Sequence, residues 1–103
     1  MTLRHLVLLR FKPSVSSTDI AAIERAFCAL RQQTGSVRDL EWGTDVSPEG
    51  RAKNFTHSFL LSFDDAAGRD AYLPHPAHTA FVARLEPLLD DVLVIDYQAR
   101  GWA

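Results

Sequence analysis

The stretch Phe55-Thr56-His57-Ser58-Phe59-Leu60-Leu61-Ser62-Phe63 is the firmest guide to the fold. Phe55, His57, Phe59, Leu61 and Phe63 share one parity; Thr56, Ser58, Leu60 and Ser62 share the other. Side chains alternate between the two faces of an extended chain, so this pattern predicts a strand with one apolar face and one mixed face. A histidine interrupts the apolar face. The opening segment, Leu3 to Phe11, repeats the arrangement: Leu3, His5, Val7, Leu9 and Phe11 form an apolar face containing one histidine, and Arg4, Leu6, Leu8 and Arg10 form the other. Lys12-Pro13 ends it.

Between these strands, Ser16-Ser17-Thr18-Asp19 offers helix caps and an acidic first turn. Ile20, Ile23, Phe27 and Leu30 follow at helical spacing, and Gly35 is placed to stop the helix. Cys28 lies beside that stripe and reads as packing. Val37 to Val46 is a weaker strand, followed by turn chemistry in Ser47-Pro48-Glu49-Gly50 and a surface loop to Asn54. After Phe63, Asp64-Asp65 can cap a short helix carrying Tyr72 and running to about Leu73. Pro74 and Pro76 break it, and Pro76 suits the first position of a new helix. His78, Phe81, Val82, Leu85 and Leu89 then form an inward stripe, with Pro87 marking the helix end. His75, between the prolines, reads as a cap or a solvent-facing residue. Asp90-Asp91 reads as a helix cap or as solvated turn charge. Val92 to Tyr97 is the last strand, with Asp96 on the face of Val92 and Val94, and Gln98 to Ala103 is a short tail.

The order strand, helix, strand, strand, helix, strand predicts an α+β, ferredoxin-like βαββαβ fold with a four-stranded antiparallel sheet. Both helices would cover the face carrying His5 and His57. The other face would expose Leu6, Leu8 and Leu60 among Thr56, Ser58 and Ser62. A half-apolar open sheet face favours a second copy, so a homodimer through that face is expected.

The 103 residues suit a single domain spanning 1–103. Hydrophobic residues make up 47% and charged residues 23%, which is globular rather than disordered. A net charge of −2 argues against nucleic acid or an anionic membrane as partner. One cysteine excludes an internal disulfide and a cysteine-built metal site. With no long apolar run and no signal-peptide pattern at Met1 to His5, a cytoplasmic location is expected.

Four histidines are many for so short a chain. Parity places His5 and His57 on the helix-covered face, His78 heads an inward stripe, and Asp96 and Tyr72 are candidates for the same layer. One histidine in an apolar face is more often a satisfied core residue than a catalyst. Three on one side of a small sheet point to a polar-lined cavity, where an imidazole titrating near 6.5 can act as a base at neutral pH. The histidine spacings do not suit a metal, and neither metal nor cofactor is expected.

Arg4-His5-Leu6-Val7-Leu8-Leu9-Arg10-Phe11-Lys12, Trp42-Gly43 with Asp45, Phe55-Thr56-His57, His75-Pro76-Ala77-His78 and Asp96-Tyr97 together resemble the stress-responsive A/B-barrel (Dabb) domain family across essentially the whole chain. That resemblance implies a dimer whose sheets pack face to face into a barrel. One plant member closes a polyketide ring by intramolecular aldol condensation without a cofactor. By that resemblance His78 would be the general base, oriented by Asp96. Tyr72 would donate to the substrate carbonyl, and His5 and His57 would line the cavity. Phe27 would also border the substrate, standing where the cyclase has a tyrosine. The expected function is a cofactor-independent cyclase or isomerase acting on a carbonyl (polyketide-like) compound in a small apolar pocket lined by histidine and tyrosine. The alternative is a non-catalytic small-molecule-binding or stress-stability protein of the same fold.

Overall fold

The computed structural model describes residues 1–101, so the expected tail past Gln98 runs outside the described residues at its last two positions, 102 and 103. Strand β1 spans Leu3–Phe11, helix α1 Ser17–Thr34, β2 Asp39–Thr44, β3 His57–Phe63, α2 Ala66–Tyr72, α3 Pro76–Leu85 and β4 Leu89–Gln98. A single 3₁₀ turn, Glu86–Leu88, joins α3 to β4. The four strands form one antiparallel sheet in the order β2-β3-β1-β4, the ferredoxin-like arrangement.

Local chemistry sets the element ends. The Ser16 hydroxyl accepts from the Asp19 N–H to open α1, and Gly35 closes it at φ 77°, a left-handed conformation that suits glycine. Asp65 caps α2 by accepting from the Gly68 N–H. His75 caps α3, its Nδ1 accepting from the Ala77 N–H, with Pro76 at the first helical position.

The parity of the strands is realised. Leu3, Val7 and Leu9 of β1 and Phe59, Leu61 and Phe63 of β3 are buried under Ile23, Phe27 and Leu30 of α1 and Phe81 and Leu85 of α3. Phe27 stacks on Phe59 with ring centroids 4.0 Å apart. Trp42 of β2 also stacks on Phe59, at 5.4 Å. Cys28 is partly buried against this core.

Some boundaries differ from the sequence expectation. β2 is shorter than Val37 to Val46: Val37 is buried in the loop before it, while Val46 is 90% exposed beyond it. β3 begins at His57 rather than Phe55, since Lys53 and Asn54 turn the chain with positive φ just upstream. β4 is longer than expected and takes in Asp90 and Asp91. These two carboxylates are therefore not free turn charges: Arg10 approaches them at 3.3 and 3.5 Å across the sheet.

The helices do not reach the sheet edge. Val92 and Val94 point to the helix side of β4 yet remain 45% and 50% exposed. On the opposite face Leu6 and Leu60 are cross-strand partners, as are Leu6 and Ile95, and Leu8 and Leu93. Leu93, Ile95 and Tyr97 are each more than two-fifths exposed there, so the open face carries a continuous apolar patch. No helix among the described residues is long and apolar enough to cross a membrane.

Candidate active site

A cavity of about 300 Å³ opens where the helix layer stops short of β4. His5, Tyr72, His78 and Asp96 supply its main polar groups; Phe27, Phe81, Val82, Leu85, Val92 and Val94 are among its apolar walls. Four of the residues named as chemical candidates from sequence thus meet in one place, with Phe27 beside them.

Tyr72 is the last residue of α2, and His78 lies in the first turn of α3. The short link between them contains both prolines and ties itself down: the His75 N–H donates to the Tyr72 carbonyl, and Ala77 is taken by the His75 side chain. The Leu73 carbonyl, at the end of α2, accepts from His78 Nδ1–H at 2.8 Å. A carbonyl only accepts, so the proton of the neutral imidazole sits on Nδ1 and Nε2 keeps its lone pair. The Tyr72 and His78 rings lie 4.5 Å apart between centroids. Burial holds the His78 imidazole below its ordinary 6.5; the Leu73 carbonyl opposes this shift, and charge on His5 adds to it.

Tyr72 is 1% exposed, and its hydroxyl is buried without a hydrogen-bond partner among the described residues. Burial pushes its phenol above the ordinary value of 10, so it stays a donor. A buried hydroxyl with nothing to bind is costly, and one bordering a cavity is poised for a ligand.

Two expectations need correction. Asp96 does not orient His78. It lies directly across β1 from His5, whose Nδ1–H donates to it at 2.6 Å, and its other oxygen accepts from Arg69 at 3.0 Å. His57 does not line this cavity. It pairs across the sheet with Leu9, while His5 pairs with Leu61, and four residues along a strand is about 13 Å. Both His57 nitrogens are engaged: Nε2 with Glu24 at 2.7 Å and Nδ1 with the Thr56 hydroxyl at 2.8 Å. Trp42 stacks over it, so His57 is a satisfied core residue fastening β3 to α1.

Arg69 and Glu24 were not singled out from sequence. Arg69 lies three residues before Tyr72, on the same side of a helix, and that spacing was the available signal. Glu24 sits beside the apolar stripe of α1, where an acid often marks only the solvent boundary. Cys28 carries no sign of activation: burial, and then Glu24, push its thiol up. No group of three or more His, Cys, Asp or Glu among the described residues is arranged to hold a metal ion.

Residues 3–99 match the family model described as the Stress responsive A/B Barrel Domain. The chain belongs to that family. A stress-response A/B barrel domain-containing protein of Arabidopsis thaliana is 34% identical over 92% of this chain and 87% of its own. Olivetolic acid cyclase of Cannabis sativa is 25% identical over 97% of this chain and 99% of its own. Among solved structures, a hydroxynitrile lyase from Passiflora edulis superposes with a TM-score of 0.93 at 26% identity, covering 99% of this chain and 96% of its own. A protein of Thermobifida fusca described as dimeric and ferredoxin-like shares the fold at a TM-score of 0.81 and 24% identity, covering 96% of this chain and 92% of its own.

The unpartnered hydroxyl gives a direct test. Tyr72→Phe should raise unfolding stability by about 1 kcal/mol in urea titration, because it removes a buried group with no partner; a loss of stability would mean the hydroxyl is already bonded. The lowered His78 value gives another. The unfolded chain binds its proton near 6.5 and the folded chain only below that, so the His78 contribution is complete above 6.5 and is lost as pH falls through the folded value. Urea midpoints measured downward from pH 7 should therefore fall less steeply in His78→Gln than in the wild type.

Proposed function

We propose that this chain is an acid–base enzyme that makes or breaks a carbon–carbon bond beside a carbonyl group, drawing on its own side chains alone. The observation that carries this reading is the buried, unpartnered Tyr72 hydroxyl beside an imidazole whose Nδ1 is committed to Leu73. His78 Nε2 is then the base. In a carbonyl substrate it takes a proton from the adjacent carbon, and the electron pair left behind spreads onto oxygen. In a hydroxynitrile it takes the hydroxyl proton, the oxygen pair closes the carbonyl, and cyanide leaves with the bonding pair. On enolisation negative charge gathers on the carbonyl oxygen. In the hydroxynitrile it builds on the oxygen as its proton leaves and then passes to cyanide, which takes that proton back from His78. In both, the Tyr72 O–H is the donor to the oxygen. The largely apolar walls lower the polarity around that hydrogen bond and strengthen it.

The names of two relatives support this range of chemistry, one a cyclase and the other a lyase of hydroxynitriles. With His78 as base and Tyr72 as donor to oxygen, one site would serve either reaction. Phe27 borders the pocket without a hydroxyl, which favours an apolar substrate edge on that side.

We also infer that two copies pair through the open sheet face. The patch of Leu6, Leu8, Leu60, Leu93, Ile95 and Tyr97 supports it, and so does the dimeric description of more distant proteins sharing the fold.

The catalytic reading is tested by screening aromatic hydroxynitriles and linear β-diketones for turnover. His78→Ala should lower the rate by about 10²-fold or more while leaving the circular dichroism spectrum unchanged. Undiminished turnover in that variant would overturn the base assignment. Ligands that raise the melting temperature but are never converted would favour the non-catalytic binding alternative. The pairing is tested by sedimentation at micromolar concentration: the wild type should run as a dimer and Ile95→Lys as a monomer. A monomeric wild type would overturn it.

A further inference from the structure

Two imidazoles border the pocket, and they are held differently. His78 gives its Nδ1–H to an uncharged acceptor, the Leu73 carbonyl. His5 gives its Nδ1–H to a charged one, the Asp96 carboxylate, at 2.6 Å. Arg69 holds the second Asp96 oxygen at 3.0 Å and reaches Asp70, also at 3.0 Å. Asp70, Arg69 and Asp96 are two carboxylates against one guanidinium, and the His5 ring is the group set against them. A proton on His78 has no carboxylate partner and faces the charge of His5. The groups facing His5 are Asp96 from β4, Tyr72 from α2 with its ring centroid 6.1 Å away, His78 from α3, and Arg69 behind Asp96.

The geometry points to His5 as a second catalytic residue, the proton donor opposite His78, and to Arg69 as the residue that positions it by keeping Asp96 on His5. This rests on the carbonyl chemistry proposed above. In an aldol-type closure, His78 Nε2 removes a C–H proton. The electron pair of that bond forms the new carbon–carbon bond to a second carbonyl carbon. The π pair of that carbonyl moves to its oxygen, and Nε2–H of protonated His5 gives the oxygen its proton. His78 is left protonated and His5 neutral; release of one proton to solvent and uptake of another restores the site. A carboxylate behind the donor holds its tautomer and directs Nε2 at the substrate, as in triad sites. A side-chain amide at position 96 would not balance the imidazolium, and an apolar side chain at position 69 would leave Asp96 free to turn away.

The competing reading is that Arg69 and Asp96 merely tie α2 to β4. Nuclear magnetic resonance of the histidine rings in the full chain separates the two. Asp96→Asn and Arg69→Met should each displace the Nδ1 proton signal of His5 and leave that of His78 in place, and Arg69→Lys should restore the wild-type pattern. On a converted carbonyl compound, His5→Gln should lower kcat by about 10²-fold with little change in KM, and Arg69→Met should reshape the alkaline side of the pH–rate profile. If Asp96→Asn displaces the His78 signal instead, or Arg69→Met moves neither, the positioning role is overturned whatever the activity. Should Arg69→Met fail to fold, Asp96→Asn carries the same comparison. If the wild type converts no carbonyl compound, the donor role falls with the parent reading, while the ring signals still decide whether Arg69 holds Asp96 on His5.

Discussion

An imidazole placed inside an apolar sheet face must find an acceptor for its N–H, or burial becomes expensive. The antiparallel register of β1 and β4 supplies one to His5, because Asp96 is its directly opposed neighbour. Much of the pocket follows from that pairing. It commits Asp96, so His78 must satisfy its own Nδ1 elsewhere, and the interrupted helix end at Leu73 provides the carbonyl. It draws in Arg69, which links α2 to β4. It leaves the Tyr72 hydroxyl, between the two histidines, without a hydrogen-bond partner among the described residues.

Much of this was legible in the sequence because the signals are local. Alternation in Leu3 to Phe11 and Phe55 to Phe63 gave the buried faces, Gly35 gave a helix end, and Pro76 gave a helix start. Parity also placed His5 and Asp96 on one side of the sheet. What parity cannot supply is position along the strand. His5 and His57 share a face but stand four rungs apart, so one borders the cavity and the other is locked to Glu24. The choice Asp96 makes between two histidines was hidden for a similar reason: it depends on which residue lies across the ladder and on a guanidinium from a third element. Edge strands were also poorly marked. β2 pairs on one side only, and its limits follow from where β3 begins rather than from its own valines.

A cyclase is among the relatives and a hydroxynitrile lyase shares the fold, and fold alone does not select a reaction. What distinguishes one cavity from another is the few polar groups that face it and what holds each of them. In this chain the two histidines differ in the partner behind the ring, a carboxylate for one and a peptide carbonyl for the other. Two copies of one side chain are thus set against different acceptors without any change of residue type.

The last strand carries two roles on alternate residues. Val92, Val94 and Asp96 look into the cavity, while Leu93, Ile95 and Tyr97 form the open patch on the other side. The division depends entirely on the count of residues from the bulge near Arg10. A slip of one position would carry Ile95 into the pocket and expel the carboxylate onto the outer surface. Length at the head of β4 is therefore fixed more tightly than composition: side chains there can be exchanged one face at a time, but a single inserted or deleted residue would rewrite both faces together.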